Sequence, residues 1–188
     1  MKRTRSLRKL TVCALFAAII ALLSPWAIPI GPIPISLGLL GVLTAAITLP
    51  PLLSFSSVAV FVALGICGLP VFSGGMSGAT VLAGPTGGYL WAYLLAAPLV
   101  SLLSQALRRA RATSHTWKTL LQTAVCLLGT LVCYICGTLQ FVLLTGTRPL
   151  AALSVCVLPF LPFDLAKSIL AAFLGQKLCG LLRPRLVN

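Results

Sequence analysis

Between Lys9 and Arg108 the chain carries no formally charged residue, whereas one membrane-crossing helix needs only roughly 20 apolar residues. An uncharged interval of that length has room for several spans and suits a bilayer better than water. Composition agrees: 59% of the 188 residues are hydrophobic and 8% are charged, with a mean hydropathy of +1.10, the profile of a membrane protein. A transmembrane barrel requires short segments that alternate apolar and polar positions. Runs such as Ala14 to Leu23 and Leu120 to Leu128 do not alternate, so the spans are predicted to be helices. The predicted fold class is an all-α integral membrane protein.

Helix breakers divide the apolar run. Pro25, Pro29, Pro32 and Pro34 close a first span of about 8–24, and Pro50-Pro51 separates a second, about 35–49, from a third, about 52–67. Gly68, Pro70 and the glycines from Gly74 to Gly88 end the third. A fourth span of about 89–107 stops at Arg108-Arg109-Ala110-Arg111, a fifth covers about 119–144, and a sixth about 159–181. Six transmembrane helices in a single domain, 1–188, are expected. Short cytoplasmic loops carry the excess of Lys and Arg. With the amino terminus inside, Lys2, Arg3, Arg5, Arg8, Lys9, Arg108, Arg109, Arg111, Lys118, Lys177, Arg183 and Arg185 are cytoplasmic, only Arg148 lies in an external loop, and Lys167 lies within the sixth helix. Both termini are therefore expected in the cytoplasm.

A formal charge of +13 invites a nucleic-acid reading. The basic residues sit at the ends of apolar segments, without one stripe interleaved with aromatics. They are better read as topogenic signals and contacts for anionic lipid, with no nucleic acid as partner. The start of the chain resembles a signal peptide, but no small-x-small site follows Ser24-Pro25-Trp26, so an uncleaved first span is expected. Seven cysteines fall mostly within spans, where thiols pack as small apolar groups. Cys133-Tyr134-Ile135-Cys136 has CxxC spacing but lacks a second pair or a nearby His. His115 falls in the basic loop. No nucleophilic triad, paired carboxylates, HExxH or phosphate-binding loop is present, so neither enzymatic activity nor a cofactor or metal is expected.

Asp164 is the only acidic side chain, against fourteen Lys and Arg. A charge at membrane depth costs roughly 2.5–3.5 kcal/mol on insertion scales and marks a site more often than an accident. Asp164 and Lys167 are three residues apart, so they share a helix face and can point together into the bundle. Pro162 just before them supports a plainer role, in which Asp164 favours the start of the last helix and Lys167 neutralises it. Both readings stand, since a capping carboxylate has lone pairs left for a ligand. The second unusual region runs from Gly68 through Ser73-Gly74-Gly75-Met76-Ser77 to Thr86-Gly-Gly-Tyr89. So much glycine predicts a backbone that folds back as an external lid, or that simply connects two helices.

These residues carry a resemblance. Gly-Leu-Pro-Val-Phe-Ser-Gly-Gly from 68, Gly-Pro-Thr-Gly-Gly-Tyr ending at Tyr89, and Pro-Phe-Leu-Pro-Phe-Asp-Leu-Ala-Lys ending at Lys167 resemble the BioY family, the biotin-specific S components of energy-coupling factor (ECF) transporters. Pro32-Ile-Pro-Ile-Ser36 resembles the family's proline-rich approach to the second helix, although the usual Thr-Leu-Gln run reads Ser36-Leu37-Gly38 here, and Phe163 stands where Gly is common. The resemblance implies the six-helix S-component fold in the cytoplasmic membrane, with biotin captured at the external face. It also implies a membrane scaffold (T) subunit and two cytoplasmic ATPases as partners.

Carried onto this chain, the resemblance makes Asp164 and Lys167 the principal substrate-binding residues and the Gly74 to Tyr89 stretch a lid. Biotin offers ureido N–H donors, a carbonyl and a carboxylate around an apolar bicycle, which suits an apolar pocket with a few placed polar groups. Asp164 is expected to accept the ureido N–H groups, and Lys167 to meet the carboxylate or to hold Asp164. Gly74, Gly75, Ser77, Thr86, Tyr89 and Ser36 are further candidates, with Ser73 and Gln140 as additional polar groups. Ala14, Ala17, Ala18 and Ala21 give two small-xxx-small pairs on the first helix; the resemblance implies scaffold docking at Ala14 and Ala18, while internal packing explains them equally. Alternatives are an S component for another vitamin or a structural subunit of a membrane complex.

Overall fold

A computed structural model describes residues 2–29, 33–109 and 114–187. Pro32 and Arg111, together with the side chains of Lys2, Arg3, Arg5, His115, Arg183 and Arg185, lie outside the described residues. A helix occupies each of the six apolar intervals: α1 (Lys2–Leu23), α2 (Gly38–Thr48), α3 (Pro51–Ile66), α5 (Gly87–Arg109), α6 (His115–Thr145) and α8 (Leu161–Val187). Two short helices, α4 (Ala79–Ala83) and α7 (Pro149–Cys156), lie in connections. Three of the described helices, within Gly87–Arg109, Thr116–Thr145 and Leu161–Leu182, are long and apolar enough to cross a membrane. α2 and α3 are shorter than one standard span.

The boundaries follow local chemistry. Pro50 holds extended backbone and Pro51 opens α3 at a position that needs no N–H donor. Gly146, in the left-handed conformation at φ 66°, stops α6, and Pro149 starts α7.

The bundle is organised around α2. Its sequence is apolar on every side, and all its residues but Leu40 are buried, as expected for a helix with no face toward solvent or lipid. α1, α3, α5, α6 and α8 all touch it. At Gly175 of α8, an added Cβ would come within 2.7 Å of Ile47, so α2 and α8 approach closely only because that side chain is missing. α5 and α6 form the most extensive pair. A Cβ on Gly88 would lie 2.5 Å from the Cys136 carbonyl oxygen and 2.9 Å from Gly137 Cα. The glycines at 87–88 thus serve helix contact rather than a phosphate or a hinge.

Charge is sorted by this packing. α6 runs antiparallel to α5 and α8, so Arg108, Arg109, Lys118 and Lys177 meet at one end, while Asp164 and Lys167 belong to the other. Trp26 and Trp117, both exposed, mark the two ends, as interfacial aromatics do in bilayers.

The structure adds detail at three places. α2 begins at Gly38, three residues after the expected start of about 35, because Ile35–Ser36 (β2) pairs antiparallel with Ala27–Ile28 (β1). The 68–89 connection contains a 3₁₀ turn at Ser73–Gly75 and α4, and Tyr89, at the predicted start of the fourth span, lies in α5. The external loop expected around Arg148 contains α7.

Gly88→Ala is expected to lower the thermal unfolding midpoint in detergent, with about 1–3 kcal/mol of overpacking. Gly180→Ala, whose Cβ would meet nothing within 4 Å, should leave the midpoint in place.

Candidate functional site

At the end of the bundle opposite the basic cluster lies a cavity of about 60 Å³, bordered by the β1–β2 segment, the 68–89 connection, the ends of α2, α5 and α8 and the middle of α6. Most of its wall is apolar or aromatic. Asp164 and Lys167 line it, and so do Ser36, Ser73, Thr86 and Tyr89.

The polar centre is a chain of three side chains. Lys167 Nζ donates to Asp164 Oδ1 at 2.7 Å, and Tyr134 Oη donates to Asp164 Oδ2 at 2.8 Å. Asp164 is 4% and Lys167 8% exposed, a depth at which an unanswered charge is prohibitive. Both readings of Asp164 remain: it stands in the first turn of α8 with Lys167 paired to it, its backbone N–H donates to Phe160 O at 2.8 Å, and its carboxylate also reaches Tyr134 of α6. An ionised carboxylate has about four lone-pair sites and an ammonium three donors. Tyr134 and Lys167 therefore leave acceptor and donor capacity for a ligand.

Around this centre the walls are aromatic. The Tyr89 ring stacks on Phe160 with centroids 6.3 Å apart and planes inclined by 15°, and Gly137 gives the ring room by lacking a Cβ. Tyr89 Oη donates to the Cys156 carbonyl at 3.0 Å, so Tyr89 serves as a wall whose hydroxyl is already committed. Phe72 is fully buried; it fits a notch left by Gly65 and meets Phe61 edge-on at 5.7 Å. That contact anchors the 68–89 connection to α3.

Other candidates separate by position. Ser36 Oγ donates to Ser24 O at 2.7 Å and accepts from Gly38 N at 2.9 Å, so it shapes the turn into α2. Ser73 Oγ is buried with no hydrogen-bond partner among the described residues, which leaves a donor at the cavity wall. Gly74, Gly75 and Ser77 do not line the cavity. Gly74 and Gly75 have φ of 70° and 76°, and a Cβ on either would meet nothing within 4 Å, so they permit the turn and make no close approach. Gln140 is outside the cavity too. Its Nε2 donates to Leu82 O at 2.8 Å and Gly84 O at 2.7 Å, tying the connection to α6. Where the family pattern has Gln, Gly38 leaves space that the Ser24 hydroxyl approaches, 2.9 Å from an ideal Cβ, and Ser24 faces the cavity. Phe163 is 42% exposed and outside the lining. Ala14 and Ala18 are on the outer face of α1, whereas Ala17 is buried and Ala21 packs on the core; one small-residue pair faces outward and the other inward.

Sequence reading missed Tyr134, Tyr93, Phe160, Phe72 and Ser24 in the wall. Tyr134 was legible in principle: a phenol in an apolar helix needs a partner, and the chain offers one carboxylate. Cys133, read as packing, lines the cavity as well.

A bundle of apolar helices enclosing a small, mostly apolar cavity with a few convergent polar groups defines a membrane-embedded small-molecule-binding protein. The chain belongs to the BioY family, which it matches over residues 1–184. It is 38% identical to the "Biotin transporter BioY2" of Lactococcus lactis subsp. cremoris over 178 residues, covering 95% of this chain and 93% of that protein. It is 36% identical to the "Biotin transporter BioY" of Thermotoga maritima over 173 residues, covering 92% and 96%. Its fold matches the crystal structure of the S-component for biotin from an ECF-type ABC transporter with a TM-score of 0.85 and 30% identity, over 95% of this chain and 94% of that one.

Lys167→Met is expected to destabilise the protein by about 3–5 kcal/mol, because it strands a buried carboxylate. Tyr134→Phe, which removes one hydrogen bond to a charged acceptor, should cost about 1.5–3 kcal/mol. Thermal unfolding of both variants in one detergent checks the order.

Proposed function

We propose that this chain is the biotin-binding S component of an ECF-type transporter and serves biotin uptake. In this reading all six helices cross the cytoplasmic membrane, both termini and the basic end face the cytoplasm, and the cavity opens outward. The observation that carries the proposal is the Lys167–Asp164–Tyr134 chain, buried at the wall of an aromatic cavity.

Asp164 accepts the ureido N–H groups in charge-assisted hydrogen bonds, while Lys167 pairs with it at 2.7 Å and has donors left for a ligand oxygen. Tyr89, Phe160 and Tyr93 offer apolar surface to the bicycle, and Ser73 and Thr86 supply further polar contacts. A cavity of about 60 Å³ is well below the roughly 300–1,000 Å³ of small-molecule pockets. Binding therefore begins with outward movement of the 68–89 connection, for which the turn at Gly74 and Gly75 is the pivot and the Gln140 contacts the latch.

Nothing in the sequence resembles an ATPase motif, so energy comes from other chains: a scaffold T subunit and two cytoplasmic ATPases. The outward pair Ala14 and Ala18 offers a smooth helix face to the scaffold.

Asp164→Asn should weaken biotin binding at least about tenfold, the scale of a hydrogen bond to a charged group, while Cys67→Ser, exposed and away from the cavity, should not. Equal affinities for these two variants, measured with labelled biotin on purified protein, would remove Asp164 from the site. At a biotin concentration 100 times Kd the unaltered chain should gain about 2.7 kcal/mol of stability; no gain from biotin, with a gain from thiamine or riboflavin, reassigns the substrate. Ala18→Leu should retain biotin binding and lose uptake in cells that supply the scaffold and ATPases.

A further inference from the structure

Two cavities adjoin at the end of the bundle remote from the biotin-site candidates. One, about 290 Å³, is lined by Arg108 of α5, Lys118 and Gln122 of α6, and Gln176 and Gly180 of α8. The other, about 310 Å³, is lined by Thr119, Phe173, Gln176, Lys177 and Gly180. They share Gln176 and Gly180.

Three helices thus bring three cations and two carboxamides to one place, and no acidic side chain lines either cavity. None is available in the chain, since Asp164 is the only one and is bound to Lys167. The inner wall is built: Gln122 is 2% exposed, and its Nε2 donates to the buried Ser104 Oγ at 2.5 Å. Arg108 donates through one nitrogen to Ile47 O at 3.1 Å, which serves the carboxyl end of α2. Lys177 lies 4.3 Å over the Phe173 ring. Gly180 is exposed, lines both cavities, and an added Cβ there would meet nothing within 4 Å, so a larger side chain fits at this position and narrows them.

Trp117, 60% exposed on the first turn of α6, sets this region at the membrane interface, and exposed Leu120, Leu181 and Phe173 surround it. A basic pocket between helices at headgroup depth, with apolar flanks, fits an anionic lipid headgroup. We propose that the paired cavities hold the phosphodiester of an anionic phospholipid, with Lys118 and Lys177 supplying charge, and Gln122 and Gln176 supplying hydrogen-bond donors. A soluble phosphate has the same polar chemistry but makes no use of the apolar flanks, which favours the lipid.

The test uses the full chain purified in neutral detergent, with lipid retention read by native mass spectrometry and by thermal shift. Phosphatidylglycerol should persist as a one-to-one adduct and raise the unfolding midpoint, and phosphatidylcholine should do neither. Lys118→Gln with Lys177→Gln should weaken retention about 25-fold, at about fivefold per cation near an anionic lipid. Gly180→Leu keeps every charge but narrows both cavities, and should weaken retention too. Lys9→Gln, a charge loss elsewhere, should match the unaltered chain. Equal retention of the two lipids, or retention by the Gly180→Leu protein equal to the unaltered chain, overturns the proposal. Stabilisation by inorganic phosphate with no preference for phosphatidylglycerol overturns the lipid assignment. So does unchanged lipid retention by the double lysine variant combined with failed assembly with the ATPase subunits, which gives this face to a protein partner.

Discussion

A carboxylate withdrawn from water among apolar helices survives only if its charge is answered on the spot. In this protein the answer is divided between helices. Lys167 is on the same helix as Asp164 and supplies the opposite charge, whereas Tyr134 comes from α6 and supplies a hydrogen bond. The start of α8 and the middle of α6 are thereby fixed relative to each other at one point, and the cavity wall is built around it. Without that fixed point the aromatic walls would still border a space, but one lined by no charged side chain.

The rest of the bundle keeps this point in register by close approach rather than by polar bonding. α2 has nearly no surface of its own and acts as an axis, with α8 drawn against it at Gly175 and Ile47. α5 and α6 interlock through Gly88 and Gly137, and the same absence of side chains lets Tyr89 lie flat against α6. The 68–89 connection is held at two places by different forces: Phe72 is wedged against Gly65 and Phe61, and the Gln140 amide reaches the backbone of α4. One contact is apolar and fully buried, the other polar and part-buried.

Much of this was legible from residues alone, and the legible parts share a cause. Long apolar intervals bounded by prolines and glycines leave few options, so a helix falls in each predicted interval. Asp164 and Lys167 stood out because ionised groups are rare in such surroundings. What escaped was anything decided by packing between distant segments. Tyr134 needed a partner on chemical grounds, yet only the packing of α8 against α6 brings it to the carboxylate. Gly74 and Gly75 look like candidates for close approach, yet Gly87 and Gly88, in the same stretch, are the ones pressed against a neighbour. Ser36 looked like a ligand donor, and its hydrogen is spent on the backbone of Ser24. Composition finds the region, and only tertiary contact distributes the tasks within it.

The smallness of the chamber sets what loading must displace. About 60 Å³ is room for only about two water molecules at their liquid volume, with Ser73, Asp164 and Lys167 among the polar groups that can meet them. The room a cargo needs comes from movement of the wall, and the energy of that movement is subtracted from whatever its contacts gain.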